Sequence, residues 1–190
     1  MAKKQKHASG PMPYTEADHL LHPLRKLLQS PKKLVRRLEL SPDSKVLELG
    51  PGPGYFSLEV ARSVPKGKLV LVDVQQEMLD MAKERLEDKG VSNVEYYQGD
   101  AASLPMDGES FDVVFLVAVL GEVPDQSGCL REIHRVLGPD GLLSLSELKI
   151  SDPDFITRPE MLKLVQASGF RHCAQYGFSF NYTVNFRKSA

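Results

Sequence analysis

The strongest constraint on the fold is the stretch VLELGPGPG at residues 46–54. A short apolar run that ends in glycine and proline predicts a buried strand followed by a tight loop. The next residues, YFSLEVARSV, carry apolar side chains at helical spacing. Gly50, Gly52 and Gly54 permit unusual backbone φ angles, and the start of the helix supplies free N–H groups and the positive end of a dipole. We therefore expect a polar or anionic group to bind at this loop.

The spacing of the glycines limits which ligand is expected. A dinucleotide-binding loop has the pattern G-x-G-x-x-G, whereas Tyr55 stands here where the third glycine belongs. Pyrophosphate binding is therefore disfavoured. No Gly-Lys-Ser/Thr follows the loop, which excludes a P-loop. A glycine-rich turn that binds no ligand stays open at this point.

Strands and helices are predicted to alternate after the glycine loop. Further strands are predicted at KLVLVD (68–73), NVEYYQ (93–98), SFDVVFLVAVL (110–120) and GLLSLSE (141–147). The intervening helices are QEMLDMAKERLEDKG, which ends at Gly90, and QSGCLREIHRVLGPDG, which Gly138-Pro139 is expected to close. This alternation predicts a Rossmann-like α/β fold with a doubly wound, mostly parallel sheet. Asp73, at the end of the second strand, could accept two hydrogen bonds from a ribose diol.

The C-terminal part predicts one more helix and two strands. The helix is RPEMLKLVQASGF, with Pro159 in its first turn and Gly169 at its end. The two strands alternate, and period two places one set of apolar residues on a common face. That set is Phe178, Phe180, Tyr182, Val184 and Phe186.

Composition is that of a single globular domain. The chain has 190 residues, of which 42% are hydrophobic and 26% charged. No apolar run approaches the ~20 residues that span a membrane, and the N-terminus has no apolar segment of a secretory signal. Cys129 and Cys173 do not form a metal-binding motif, so no metal is predicted. We expect a cytoplasmic protein with reduced thiols.

Charge is unevenly distributed along the chain. Residues 1–44 contain nine Lys/Arg against four Asp/Glu, although the whole chain has a net charge of −1. We expect residues 1–13 to be a disordered basic tail, residues 14–44 to be a helical lid over the site, and residues 45–190 to be the main domain. The basic amphipathic segment could instead contact nucleic acid or an anionic membrane. A solvated outer face with its leucines packed on the domain is the favoured interpretation.

The ordered set VLELGPGPG, LVLVD, GDA, FDVVFLVAVL and LREIHRVLGPDGLL resembles the class I S-adenosylmethionine-dependent methyltransferases. Among them, the chain is most similar to the small-molecule (methyltransferase type 11) group that includes the ubiquinone/menaquinone-biosynthesis enzymes. The resemblance covers residues 45–150. It implies S-adenosylmethionine as the cofactor and transferase activity, and it implies that the last two strands form an antiparallel pair.

The resemblance also implies roles for individual residues. The methionine part of the cofactor would face Glu48 and the backbone of Gly50, Gly52 and Gly54. Asp73 would hold the ribose hydroxyls and Val74 would lie against the adenine. Asp100 and the Ala101 N–H would bind the adenine edge, and Leu116 would border the transferred methyl group. The residues themselves leave other roles open, since both aspartates could cap turns and Glu48 could pair with a lysine.

A general base is needed only if the acceptor keeps its proton until attack. Candidates for that base are Glu122, His22, His19 and Tyr14. Many relatives have a histidine-rich segment after the fourth strand, whereas this chain has Leu120-Gly121-Glu122. That departure makes Glu122 the main catalytic candidate, with His22 as the second.

The acceptor class is narrowed by absent motifs. The fourth strand lacks an Asn/Asp-Pro-Pro-aromatic sequence, no Pro-Cys pair is present, and two cysteines cannot supply a three-cysteine arsenite site. We therefore expect a small-molecule acceptor and no nucleic acid partner. Two alternatives stay open: an RNA or protein methyltransferase that uses the basic N-terminal helix, and a non-catalytic S-adenosylmethionine-binding module.

Overall fold

The computed structural model describes residues 10–17, 29–149 and 153–189. In chain order the elements are a short 3-10 helix (Tyr14–Glu16), α1 (Pro31–Arg37), β1 (Lys45–Leu49), α2 (Ser57–Ser63), β2 (Lys68–Asp73), α3 (Gln76–Glu87), β3 (Val94–Gln98), β4 (Phe111–Val117), α4 (Gln126–Val136), β5 (Leu137–Leu148), α5 (Arg158–Ala167), β6 (Phe170–Phe178) and β7 (Asn181–Lys188). Within the described ranges, no helix combines the length and the apolar character needed to cross a membrane.

The strands form one sheet in the order β3-β2-β1-β4-β5-β7-β6. Every pairing among strands β1 to β5 is parallel, whereas β7 is antiparallel to both β5 and β6. From β1 the chain moves outward to β2 and β3, and it then returns to place β4 on the other side of β1. The predicted fold class, a mostly parallel doubly wound sheet with a C-terminal antiparallel pair, is confirmed.

Both faces of the sheet are covered by apolar side chains. On one face, strand residues such as Val46, Leu71 and Phe115 pack under α1, α2 and α3. On the opposite face, Leu47 and Val114 pack with residues of α4 and α5. Parallel strands that are buried on both faces need nearly continuous apolar runs, which explains why KLVLVD and FDVVFLV were recognisable from sequence.

Helix α1 is attached to the last two strands. Its residue Leu34 and the following Leu38 are buried. Arg37 Nη1 donates to Thr183 Oγ1 over 2.8 Å, and Asn185 Nδ2 donates to the Arg37 carbonyl over 2.7 Å. The other basic residues of the helix, Lys32, Lys33 and Arg36, are exposed. The predicted packing of leucines on the domain is confirmed for this helix, while Leu24, Leu27 and Leu28 lie outside the described residues.

One predicted strand start is wrong. Gly138-Pro139 was expected to close a helix, and α4 does end just before this pair, at Val136, but β5 begins at Leu137 rather than at Gly141. Leu137 has an extended backbone and is the register partner of Phe111 at the start of β4. The chain therefore enters the sheet directly from the helix, and the Gly-Pro pair lies inside the strand.

The predicted common face of the C-terminal aromatic residues is correct only in part. Tyr182, Val184 and Phe186 share a buried face of β7. The chain turns between β6 and β7, however, so Phe178 and Phe180 belong to the hairpin tip rather than to that face. They are 72% and 49% exposed, and their rings stack with centroids 6.1 Å apart.

Candidate functional site

The candidate site lies at the carboxyl edge of the sheet, where the strand order reverses between β1 and β4. In open α/β sheets this crevice is the usual ligand site. The loops after β1 and β3 are both hydrogen-bonded to the end of β2. The Gly50 N–H donates to the Val72 carbonyl over 2.9 Å, and the Gly99 N–H donates to the Asp73 carbonyl over 3.0 Å. The three loops therefore form one connected edge.

The glycine loop depends on its glycines for two reasons. Gly50, Gly52 and Gly54 all have positive φ, at 65°, 53° and 76°. A Cβ on Gly50 would lie 2.5 Å from a Val119 methyl, and a Cβ on Gly54 would lie 2.9 Å from a Leu86 methyl. Glycine is thus required by the backbone conformation and by close packing against two neighbouring elements.

Tyr55 occupies the position of the third glycine of a dinucleotide loop. Its ring is buried and packs edge-on against Phe56, with centroids 4.8 Å apart. The Tyr55 hydroxyl donates to the Gln29 carbonyl over 3.2 Å. A dinucleotide loop uses glycine here for close helix–strand packing, so this buried ring supports the expectation of a different ligand.

Glu48 lies beneath the glycine loop. It is 2% exposed, and its Oε2 accepts a hydrogen bond of 2.6 Å from Ser57 Oγ. Ser57 is the first residue of α2, so this bond links the strand before the loop to the helix after it. The carboxylate also lies near the positive end of the helix dipole, which favours a negative charge. The contact of Glu48 with a cofactor ammonium group stays a prediction.

Asp73 ends β2 beside the glycine loop and is 8% exposed. Burial raises the pKa of its carboxyl above the usual value, while hydrogen bonds from the backbone N–H groups of Gln75, Gly52 and Val74 partly oppose that shift. The bond from Gln75 N to Oδ1 is 3.0 Å long. A buried acid held only by backbone donors suits a ribose diol, which would donate further hydrogen bonds to it.

The residues predicted to contact adenine lie on the loops after β2 and β3. Val74 is 47% exposed and offers an apolar surface. Asp100 is exposed, and its Oδ1 accepts a hydrogen bond of 2.8 Å from the Ala102 N–H. Asp100 therefore does cap a turn, as its sequence context left open. Its contact with adenine, and that of the adjacent Ala101, stay predictions.

The prediction for Leu116 fits the structure least well. Its side chain is 1% exposed and belongs to the core cluster that faces α4 and α5. It is the penultimate residue of β4, so Val117 and the residues after it lie nearer the crevice. Contact between Leu116 and a transferred methyl group stays a prediction.

Two residues after β4 were missed by the sequence analysis. Ala118 has φ of 56°, a left-handed conformation that alanine rarely adopts, and its N–H donates to the Ser146 carbonyl over 2.8 Å. Val119 follows and lies against Gly50. Strained backbone of this kind concentrates at functional sites. No local sequence pattern identifies either feature.

Glu122 lies on the loop that continues from Val119. Its N–H donates to the Val119 carbonyl over 2.9 Å, and its side chain is half-buried. The neighbouring Gly121 packs so closely on Asp154 that a Cβ there would lie 2.1 Å from the Asp154 carbonyl oxygen. The loops after β4 and β5 are therefore in contact on the side of the crevice opposite Asp73.

The N-terminal segment reaches this same edge. The Tyr14 N–H donates to Gln75 Oε1 over 3.1 Å, and Gln75 Nε2 donates to the Met12 carbonyl over 2.9 Å. Gln75 was not identified from sequence, because its partners are more than 60 residues away. The candidate bases His19 and His22 lie outside the described residues.

The two cysteines do not contribute a nucleophile to the described site. Cys129 is buried, and burial raises its pKa to about 12, so the thiol stays protonated. Cys173 is exposed on β6, far along the sheet from the glycine loop. Within the described ranges, no cluster of three His, Cys, Asp or Glu side chains could hold a metal ion.

A second concavity of about 300 Å³ lies at the opposite, amino-terminal edge of the parallel strands. Its polar lining includes Asp43, Asp112 and Arg187. Arg187 Nη2 is already bonded to Glu39 Oε2 over 2.7 Å, and Asp112 Oδ2 accepts from the Lys45 N–H over 2.8 Å. None of the predicted cofactor-binding residues lines this cavity, so it is separate from the candidate site.

Comparison with known proteins identifies curated relatives that cover more than half of this chain. The chain is 34% identical over 148 residues to the ubiquinone/menaquinone biosynthesis C-methyltransferase UbiE of Vibrio vulnificus, covering 70% of this chain and 57% of that protein. It is 36% identical over 110 residues to the demethylmenaquinone methyltransferase of Lactococcus lactis, covering 57% of this chain and 44% of that protein. The chain thus spans about half the length of these curated relatives.

Solved structures agree with the fold. The crystal structure of a SAM-dependent methyltransferase from Aquifex aeolicus superposes with a TM-score of 0.86 and 23% identity, covering 93% of this chain and 98% of that one. The recognition of a methyltransferase family from its motifs is confirmed, whereas S-adenosylmethionine as the cofactor of this chain stays a prediction. A family model described as a methyltransferase domain matches residues 40–174. The chain therefore belongs to the methyltransferase domain family.

Proposed function

We propose that this protein transfers a methyl group from S-adenosylmethionine to a small-molecule acceptor. The observation that carries the proposal is Asp73, a buried carboxylate at the end of β2 that is held by backbone donors beside the glycine loop. The similarity to two enzymes named as quinone-biosynthesis methyltransferases supports a small acceptor.

In this proposal the cofactor extends across the loops after β1, β2 and β3. Asp73 accepts from the ribose hydroxyls and Val74 supports one face of the adenine. Asp100 and the Ala101 N–H bind the adenine edge. The methionine part would contact the glycine loop, and Glu48 would supply a negative charge near it. Leu116 of β4 would border the methyl group. The residues present fit this group because they combine one buried acid, one exposed apolar side chain and a glycine-rich loop.

The cofactor supplies an electrophilic methyl group on a sulfonium centre. The protein must then hold the acceptor atom in line with that methyl group and exclude water. Proximity and orientation of this kind contribute ~7–11 kcal/mol in favourable cases. The contact between Gly121 and Asp154 gives the acceptor side a packed wall. Glu122, on the same loop as Gly121, is proposed as the general base that takes the proton from the substrate atom as that atom bonds to the methyl group. His22 is the second candidate for this base.

We also propose that residues 14–44 cover the site and that residues 45–190 form the catalytic domain. The bonds between Gln75 and residues 12–14 support this role for the N-terminal part. The alternative use of the basic helix for RNA or protein stays open, because Lys32, Lys33 and Arg36 are exposed although Arg37 is occupied by Thr183 and by the Tyr176 ring. A cytoplasmic location stays a prediction, consistent with two unpaired cysteines.

Calorimetric titration with S-adenosylmethionine and S-adenosylhomocysteine, with NAD as the control, tests the proposal. We expect micromolar dissociation constants, or about −8 kcal/mol, for the first two and no binding of NAD. Asp73→Ala should weaken cofactor binding, and an unchanged affinity would remove Asp73 from the site. Cofactor binding without turnover across a broad panel of phenols, quinols and amines would favour a non-catalytic binding module instead.

A further inference from the structure

Gln75 makes an unusual set of contacts for a residue that precedes a helix. It is the N-cap residue of α3, a position whose side chain normally accepts from the first backbone N–H groups of the helix. Gln75 makes no such side-chain bond. Its carboxamide instead pairs with the backbone of the N-terminal segment, donating to the Met12 carbonyl and accepting from the Tyr14 N–H. Both functional groups of the amide are thus used on a segment 61 to 63 residues away.

The same residue is connected to the proposed ribose site. The Gln75 backbone N–H donates to Asp73 Oδ1 over 3.0 Å, so one residue binds the acid through its backbone and the N-terminal segment through its side chain. The segment is also anchored by Ala17, which is fully buried. After residues 18–28, the chain returns to the site where the Gln29 carbonyl accepts from the Tyr55 hydroxyl.

We infer that Gln75 is a positioning residue that couples docking of residues 10–17 to occupation of the ribose site. This inference rests on the proposed function. A diol bound to Asp73 fixes the Asp73–Gln75 turn, and the fixed turn holds the carboxamide in place for Met12 and Tyr14. By linkage, docking of the segment must in turn raise the affinity for the cofactor by the same factor. Because one of the two bonds is exposed, we expect a factor of roughly five to ten, near the low end for such coupling.

The test compares Gln75→Leu with Gln76→Leu. Gln76 is the adjacent glutamine, but its amide donates only to Asp80 of its own helix, over 2.8 Å. Two quantities are measured on the full chain: the affinity for S-adenosylhomocysteine by calorimetry, and the rate of cleavage after the exposed Glu16 by a glutamate-specific endoproteinase, with and without that ligand. We expect the wild type and Gln76→Leu to bind equally and to be protected by the ligand. Gln75→Leu should bind roughly five to ten times more weakly and lose the ligand-dependent protection.

A second pair of variants tests one hydrogen bond from the other side. Tyr14→Pro removes the N–H that donates to Gln75, and the local backbone suits proline because Pro13 has φ −59° and ψ 137° and residue 14 opens a 3-10 helix. Tyr14→Ala removes the same ring but keeps the N–H, so only the proline variant should show weaker ligand binding and faster cleavage.

Equal affinity and equal protection of Gln75→Leu and Gln76→Leu would overturn the inference. So would identical behaviour of the two Tyr14 variants. If the wild type itself binds neither S-adenosylmethionine nor S-adenosylhomocysteine, the proposed function fails and the coupling fails with it. In that case the cleavage rates without ligand still show whether Gln75 holds the segment.

Discussion

Gly50→Ala should destabilise the protein through two separable effects. The first is backbone strain, because alanine at φ of 65° costs roughly 1–2 kcal/mol, of which about 0.4–1 kcal/mol is returned by the less flexible unfolded chain. The second is steric, because the new methyl group would lie 2.5 and 2.8 Å from the two Val119 methyls, and such overpacking costs typically 1–3 kcal/mol. The expected net loss is about 2–4 kcal/mol of unfolding free energy.

Two further variants separate the two effects. Gly90→Ala places alanine at a similar φ of 71° with no atom within 4 Å of the new Cβ, so it should show the backbone strain alone. Val119→Ala removes both clashing methyls at a cost of about 1 kcal/mol, given that the side chain is half-buried. The double variant Gly50→Ala/Val119→Ala should therefore be less destabilised than the sum of the two single variants, by about 1–3 kcal/mol.

Urea unfolding of the four proteins of this cycle gives the free energies directly. If the single-variant costs add to within about 0.5 kcal/mol, Val119 does not contact the glycine loop as described and the steric part of the reasoning is refuted. If Gly90→Ala is as damaging as Gly50→Ala, backbone strain alone accounts for the loss.

Four other predictions concern the residues of the site. Because its pKa is raised, the Asp73 carboxyl becomes protonated at a higher pH than an ordinary aspartate. Only the ionised form accepts both hydrogen bonds from the diol, so the affinity of the wild type for S-adenosylhomocysteine, measured by calorimetry, should decrease as pH is lowered. Asp73→Asn should bind more weakly, and its affinity should not depend on pH. The same raised pKa means that the charged carboxylate is unfavourable in the folded state. The stability that Asp73 contributes is therefore present at low pH and is lost as pH rises through the folded-state pKa. In urea titrations at pH 7 without ligand, Asp73→Asn should be at least as stable as the wild type. Glu122→Gln should lower turnover about 10²- to 10⁴-fold with ligand affinity nearly unchanged, and normal turnover would remove Glu122 from the mechanism. Ala118→Gly should raise the melting temperature slightly or leave it unchanged. The substitution relieves up to ~2 kcal/mol of backbone strain, but glycine also has greater conformational entropy in the unfolded chain, which opposes that gain. A clear loss of stability would contradict the strain assigned to Ala118.

The parts of the fold that were predictable depend on local patterns. Continuous apolar runs identified β2 and β4, and the glycine spacing identified the loop after β1, because a parallel sheet requires both within a few residues. The position of Asp73 followed from its place at a strand end. The start of β5 was less predictable, because Leu137 pairs with Phe111 and the strand therefore begins before the Gly138-Pro139 pair rather than at Gly141.

The parts of the site that were not predictable depend on distant contacts. Gln75 is an ordinary polar residue until Met12 and Tyr14 are brought beside it. The left-handed backbone of Ala118 is imposed by the connection to β5 and has no counterpart in residue type. Glu48 illustrates the intermediate case: an acid in a buried strand was noticed, but its partner Ser57 becomes evident only when the loop closes.

The placement of β7 has a consequence for the order in which this protein can form. The strand that comes last in the described sequence lies inside the sheet, between β5 and β6, and Val184 and Phe186 are fully buried there. During synthesis, one edge of β5 therefore stays unpaired, and β6 cannot pair with the sheet, until residues 181–188 of β7 have left the ribosome. Open strand edges on a nascent chain invite pairing with other chains. We expect chains truncated before residue 181, which lack β7, to depend most on chaperones.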